Sequence, residues 1–167
     1  RLWDAEIARE LSVLRGQIGK IQGLSFSPDG KRMATASENT VRTKGTFPRR
    51  TGEVKVWDIA TDQTSTALCG HTERVTSVAF SPDGKFLASS SEGYSSARPG
   101  EVILRDATTG RVIHTFRNRF SFNAVSFTPD RQVLVALGGE GVRQWDVSTC
   151  REVVTSPIRV HPVYGLA

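Results

Sequence analysis

Catalytic and metal-site signatures are missing from this sequence. It holds no G-x-S-x-G elbow, no H-E-x-x-H, no phosphate-cradling glycine loop and no His or carboxylate cluster at ligand spacing. Hydrolytic, zinc and nucleotide chemistry are thus left without a recognisable carrier, and no cofactor or metal is expected. Histidine is scarce: His71, His114 and His161 stand far apart, and each reads as structural or surface. Cys69 and Cys150, the only cysteines, lack C-x-x-C spacing, which argues against a disulfide framework or a zinc site. The longest apolar run, Val133 to Leu137, is far too short to span a membrane, and no charged-then-apolar leader opens the sequence. A cytoplasmic chain without membrane attachment is the expectation. The first residue is Arg1 and the only methionine is Met33, so the chain reads as a piece of a longer one.

What remains is 167 residues, 38% hydrophobic, with a net charge of +5, enough for one domain with a core. Repetition dominates it. Val75-Thr-Ser-Val-Ala-Phe-Ser-Pro-Asp-Gly-Lys85 echoes Ile21-Gln-Gly-Leu-Ser-Phe-Ser-Pro-Asp-Gly-Lys31 and, more loosely, Phe122-Asn-Ala-Val-Ser-Phe-Thr-Pro-Asp-Arg-Gln132. A second echo joins Arg1-Leu-Trp3-Asp4, Val54-Lys-Val-Trp57-Asp58, Val102-Ile-Leu-Arg-Asp106 and Val142-Arg-Gln-Trp145-Asp146. Trp3 to Phe26 and Trp57 to Phe80 each span 23 positions and Arg105 to Phe127 spans 22, whereas Phe26 to Trp57, Phe80 to Arg105 and Phe127 to Trp145 span 31, 25 and 18. One half of the unit is fixed and the other holds variable loops.

Each unit divides into four short strands. In the second they fall at Val75 to Phe80 (a), Phe86 to Ser90 (b), Glu101 to Arg105 (c) and Arg111 to Phe116 (d). Ser81-Pro82-Asp83-Gly84 suits a type I turn with a left-handed glycine exit, making a–b a tight hairpin. Asp58 and Asp106 open stretches suited to Asx turns, so c–d is tight as well. Gly138-Gly-Glu-Gly141 precedes a strand, not a helix, and reads as a hairpin turn.

This order of Gly70-His71, Ser-Pro-Asp83-Gly84 and Trp57-Asp58 resembles the WD40-repeat family, in which each unit is one four-stranded blade of a β-propeller. The resemblance covers essentially the whole chain. It implies an all-β fold of four-stranded antiparallel blades: a partial blade over 1–14, complete ones over about 21–68, 75–116 and 122–155, and the start of another at 163–167. A sheet apolar on both faces cannot bury itself and must stack on its neighbours, with Trp57 and Trp145 filling the gaps. Three complete blades make an open arc, because closed propellers have at least about four. Its bare end sheets are expected to be apolar patches that the remaining blades of a parent chain would cover. Comparable repeats also occur in bacterial WD-repeat proteins, sometimes beside kinase domains, which gives the repeats a bacterial cast.

The sequence departs from the family's buried tetrad of His, Ser or Thr, Asp and Trp. The first complete blade has Trp57 but Gln17 at the histidine position. The second has His71 and Ser90 but Arg105 for Trp, and the third has Trp145 but no histidine near Asn118. No b–c segment contains an aspartate. These blades are therefore expected to rely on packing and strand pairing more than on buried polar networks. Arg131 replaces a turn glycine, at a cost of about 1 kcal/mol if positive φ is needed there.

Because strands alternate in direction, d–a and b–c connections share one rim, called the top, and a–b and c–d turns share the other. Both insertions, Glu38 to Glu53 and Glu92 to Glu101, are b–c connections. The top carries eleven cations (Arg15, Lys20, Arg42, Lys44, Arg49, Arg50, Arg74, Arg98, Arg117, Arg119, Arg159) against six glutamates (Glu38, Glu53, Glu73, Glu92, Glu101, Glu140), while acids outnumber bases on the bottom. The functional expectation is a non-enzymatic scaffold whose top rim captures an acidic or phosphorylated peptide or domain. Arg42, Lys44, Arg49, Arg50, Arg74, Arg98 and Arg119 would supply charge, and Phe47 and Tyr94 apolar anchors. The competing reading of Val41 to Thr51 is a solvated loop whose charge only keeps it soluble. The alternative is an enzymatic propeller, of hydrolase, lactonase or quinoprotein type, with its catalytic residues in missing blades. Nucleic acid ranks last, since no recognition helix or stacking platform accompanies the charge.

Overall fold

The computed structural model describes residues 1–17, 19–41, 49–59 and 63–156, with backbone alone for residues 12, 41, 49, 63–65 and 154–156. These residues form strands and turns without a helix. A two-stranded ribbon, β1 (Leu2–Trp3) and β2 (Glu10–Ser12), precedes three four-stranded sheets. The first blade is β3 (Lys20–Phe26), β4 (Arg32–Val41), β5 (Arg49–Asp58) and β6 (Gln63–Leu68). The second is β7 (Val75–Phe80), β8 (Phe86–Ser91), β9 (Gly100–Asp106) and β10 (Val112–Asn118). The third is β11 (Phe122–Phe127), β12 (Val133–Gly138), β13 (Gly141–Asp146) and β14 (Glu152–Ser156). Each sheet is an antiparallel meander in chain order. The all-β open arc of propeller blades expected from the repeats is what the chain forms.

No blade owns a core. One apolar cluster joins Ala34, Ala36, Val54, Val56 and Leu68 of the first blade to Val75, Val78, Phe80 and Leu87 of the second. Another joins Ala88, Val102, Leu104 and Phe116 of the second to Phe122, Val125, Phe127 and Trp145 of the third. The period of two explains the division: residues paired across strands share a face, so Phe127, Leu134 and Trp145 form one row toward the second blade. Two serines add a recurrent polar stitch, Ser25 Oγ accepting from the Phe80 amide at 3.1 Å and Ser77 Oγ from the Val125 amide at 3.4 Å.

The three tryptophans meet different fates. Trp145 fills a seam, stacking on Phe116 at 4.4 Å and edge-on to Phe122 at 6.0 Å. Trp57 is fully buried, but it lies in the row of Phe26 and Met33, on the opposite face from the Ala34–Val56 row that meets the second blade. Trp3, on the two-stranded ribbon, is mostly exposed. Ile21, Leu24 and Phe26 are about half exposed, whereas their repeat equivalents Val75, Val78 and Phe80 are buried.

Turn chemistry is as the residues dictate. Gly84 N–H closes the turn on Ser81 O at 2.8 Å, and the Asp83 carboxylate accepts from the Ser81 hydroxyl and the Lys85 amide. Asp4, Asp106 and Asp146 each accept backbone amides two or three residues on, as Asx turns do. Two of these carboxylates are held below the usual range, Asp106 mainly by the Thr109 amide and Asp146, down to about 2, mainly by the Ser148 hydroxyl. Arg131 takes φ 67°, matching Gly30 at 69° and Gly84 at 70°, so the side chain bears the left-handed cost of about 1 kcal/mol. Gly138 pairs with Gly141 across a two-residue turn, giving the hairpin read from that glycine run.

Alternating strand direction places both b–c insertions on the same edge. In the first, β4 and β5 stay paired out to Val41 and Arg49. Residues 42–48 lie outside the described residues, as do Arg159, His161 and the strand start expected at 163–167.

Candidate functional site

The polar interior corrects one expectation. The first blade has a buried relay despite lacking the histidine: Trp57 Nε1 donates to Thr35 Oγ1 at 2.9 Å, Thr35 to Gln17 Oε1 at 2.7 Å, and Gln17 Nε2 to Ser37 Oγ at 2.7 Å, which donates to Glu53 O at 3.2 Å. A glutamine amide both donates and accepts, so it bridges two strand-b hydroxyls as a neutral imidazole would.

The second blade is corrected in detail. His71 meets Ser89, with Nε2 and Oγ 2.7 Å apart, not Ser90, which sits one residue on and therefore on the other face, beside Thr76. Arg105, buried where Trp stands in the other blades, donates to Cys69 O at 2.5 Å and Gly110 O at 3.1 Å. Burial, and then the Arg105 charge, pushes His71 down to about 3. The ring is neutral, and its 3.8 Å approach to Glu101 Oε2 is not an ion pair. His71 Nδ1, Glu101 Oε2 and Arg105 Nε stay without hydrogen-bond partners.

The rim residues sort by blade. Arg42, Lys44 and Phe47 lie outside the described residues, and Arg49 is described as backbone only. Arg50 reaches Glu38 at 3.5 Å. Arg74 is a hub between blades, meeting Glu38 at 3.2 Å, Glu92 at 3.0 Å and Gln22 Oε1 at 2.6 Å. Arg98 forks on Glu73, with Nε donating at 2.8 Å, and lies 4.8 Å over the Tyr94 ring. Tyr94 donates to Glu92 and is pushed up to about 12, first by burial and then by that bond. Arg119 lies 3.8 Å from Glu140 and 4.5 Å over Phe120. Arg117, not singled out as a binding residue from sequence, reaches Glu101 at 3.0 Å. Phe120 was missed too, although an aromatic beside Arg119 in a d–a connection is a readable signal.

The second insertion is built, not loose. Tyr94 N–H donates to Arg98 O at 2.8 Å and Arg98 N–H to Ser95 O at 3.0 Å, closing a small hairpin. Ser121 ties it to the third blade, its hydroxyl donating to Gly93 O at 3.0 Å and accepting from the Gly93 amide at 3.1 Å. Such close approach requires glycine: a Cβ on Gly93 would lie 2.1 Å from Gly100 N, and one on Gly100 2.3 Å from Phe120 O. Among the described residues no three of His, Cys, Asp and Glu gather as a metal site would need, and no helix is long and apolar enough to cross a membrane.

Known proteins agree with this architecture. The WD40 family model, "WD domain, G-beta repeat", matches residues 8–43 and 62–94. Small ribosomal subunit protein RACK1 of Caenorhabditis elegans is 33% identical over 100 residues, covering 60% of this chain and 29% of that protein. Small ribosomal subunit protein RACK1y of Oryza sativa subsp. japonica is 28% identical over 134 residues, covering 80% of this chain and 35% of that protein. A crystal structure of the RRP9 WD40 repeats superposes with a TM-score of 0.71 at 21% identity, covering 86% of this chain and 40% of that one. The chain thus spans about a third of its curated relatives, none of these proteins is named for a catalytic activity, and the two curated relatives, a nematode and a rice protein, lend nothing to a bacterial cast of the repeats. With repeats that match the WD40 model over residues 8–43 and 62–94 and blades that superpose on a solved WD40 propeller, the chain folds as an arc of WD40-type β-propeller blades.

Proposed function

We propose that this chain is a non-enzymatic docking platform whose top rim takes up an acidic or phosphorylated protein segment. The observation that carries the reading is where the rim's surplus charge falls. Of the eleven rim cations, four (Arg42, Lys44, Arg49 and Arg50) fall in the single connection from Glu38 to Glu53, which holds two of the six glutamates. That connection therefore carries +2 of the rim's +5, and its Phe47 offers an apolar anchor. Arginine beside an aromatic is the composition that dominates binding energy at interfaces. Its relatives are WD40 proteins, a family of protein-interaction scaffolds, which agrees with this reading.

The test is charge reversal. Arg49→Glu with Arg50→Glu should weaken capture of a glutamate-rich peptide by tenfold or more and flatten its salt dependence, read by fluorescence anisotropy at two ionic strengths. Unchanged affinity and unchanged salt slope would remove the first-blade connection from the binding surface.

A further inference from the structure

The ion pairs of the second blade are layered, and the layering matters more than their sum. Glu73 is buried to 1% side-chain exposure while its partner Arg98 keeps 45%. Glu101 is at 7% while Arg117 keeps 63%. In both pairs the carboxylate lies beneath and the guanidinium above. A nearly neutral inventory thus presents positive charge to solvent. Arg119, also exposed, continues this layer onto the third blade.

Two of these arginines are also stacked. Arg98 lies over Tyr94, which is 52% exposed, and Arg119 over Phe120, which is 37% exposed. The two stacks flank the Gly93–Ser121 tie, one residue to either side of it. We infer that this seam between the second and third blades is a preformed seat for a short acidic peptide segment, with carboxylates on Arg98 and Arg119 and an apolar side chain between Tyr94 and Phe120. The inference deepens the proposed function by placing a seat on the same rim.

Three physical features support it. Each guanidinium has five donors, and among the described residues Arg98 spends two of its three nitrogens on Glu73, leaving Nη1 for a ligand. A side chain held by a buried carboxylate on one side and a ring on another loses little entropy on binding. The hairpin and serine tie fix the backbone under both stacks, so the seat needs no ordering step. A peptide fits better than nucleic acid because the cations form a compact cluster around two rings. A phosphate chain is met by an extended basic track.

The probe is a fluorescein-labelled Glu-Leu-Glu-Glu-Leu-Glu peptide, read by anisotropy on the whole chain, beside an all-glutamate hexamer and an oligo-dT of equal charge. Arg98→Glu with Arg119→Glu should weaken the Leu-containing peptide by at least tenfold. Tyr94→Ala with Phe120→Ala should weaken it severalfold while leaving its salt slope intact, and the all-glutamate hexamer should bind more weakly throughout. If Arg98→Glu unfolds the chain by stranding Glu73, Arg119→Glu alone retains the test, because Glu140 is exposed. Equal binding of both hexamers, tighter binding of oligo-dT, or no effect of any seam variant would each overturn the seat. Loss at Arg49→Glu with Arg50→Glu but not at the seam would leave the acidic-rim reading standing and remove only this location.

Discussion

The first and second blades each lost one end of the same buried polar device, and they adjusted differently. The first kept Trp57 and lost the histidine. Gln17 replaces it with an amide of matching reach, and the relay from Trp57 to Ser37 closes on the Glu53 carbonyl. The second kept His71 and lost the tryptophan. Arg105 turns instead to two backbone carbonyls, leaving three buried polar atoms around His71 unanswered. A neutral bridge can be exchanged for another neutral bridge, but replacing an indole with a cation changes what the neighbours must do. The desolvated imidazole stays neutral, and Glu101 is drawn to Arg117 at the surface.

The largest effect that would sharpen this contrast is Trp57→Ala. Removing a fully buried indole empties the blade face and takes one of two hydrogen-bond partners from Thr35, at about 3 to 5 kcal/mol. Chemical denaturation should show it as a lower midpoint with an unchanged m-value. Next is Gln17→Leu, which keeps bulk but leaves the buried Thr35 and Ser37 hydroxyls short of a partner, at about 1 to 3 kcal/mol. Gln17→His should recover most of that loss. Failure of histidine to rescue would mean that the two blades do not share one device.

Much of this was legible in the residues. Hairpins, Asx turns and the left-handed turn at Arg131 follow from local chemistry, and the blade stacking follows from repeats that are apolar on both faces. The polar interior was less legible because a tetrad reads as residue types at fixed positions, whereas hydrogen bonding depends on reach and face. Ser89 and Ser90 differ by one position and point to opposite sides of the sheet. The rim was half legible. Counting signs gave its excess of cations but not which carboxylates lie beneath them, because burial of Glu73 or Glu101 depends on the neighbouring blade.

The smallest effect separates the blades by pH. His71 in the folded chain sits near 3, well below its ordinary 6.5. As pH falls through 6.5 the unfolded chain binds this proton first, so the stability from a neutral His71 is complete above 6.5 and declines from there toward 3. The slope is at most about 1.4 kcal/mol per pH unit. Between pH 7.5 and 5.5 the loss should thus be about 1.4 kcal/mol, and Asp106 and Asp146, already held below the usual carboxylate range, contribute little in that window. His71→Gln should flatten urea-unfolding stability over this range, while Gln17→Leu should lower it by the same amount at both pH values. A wild-type curve level from 7.5 to 5.5 would show that Glu101, 3.8 Å away, stabilises a protonated His71 and that the second blade also closes its polar device.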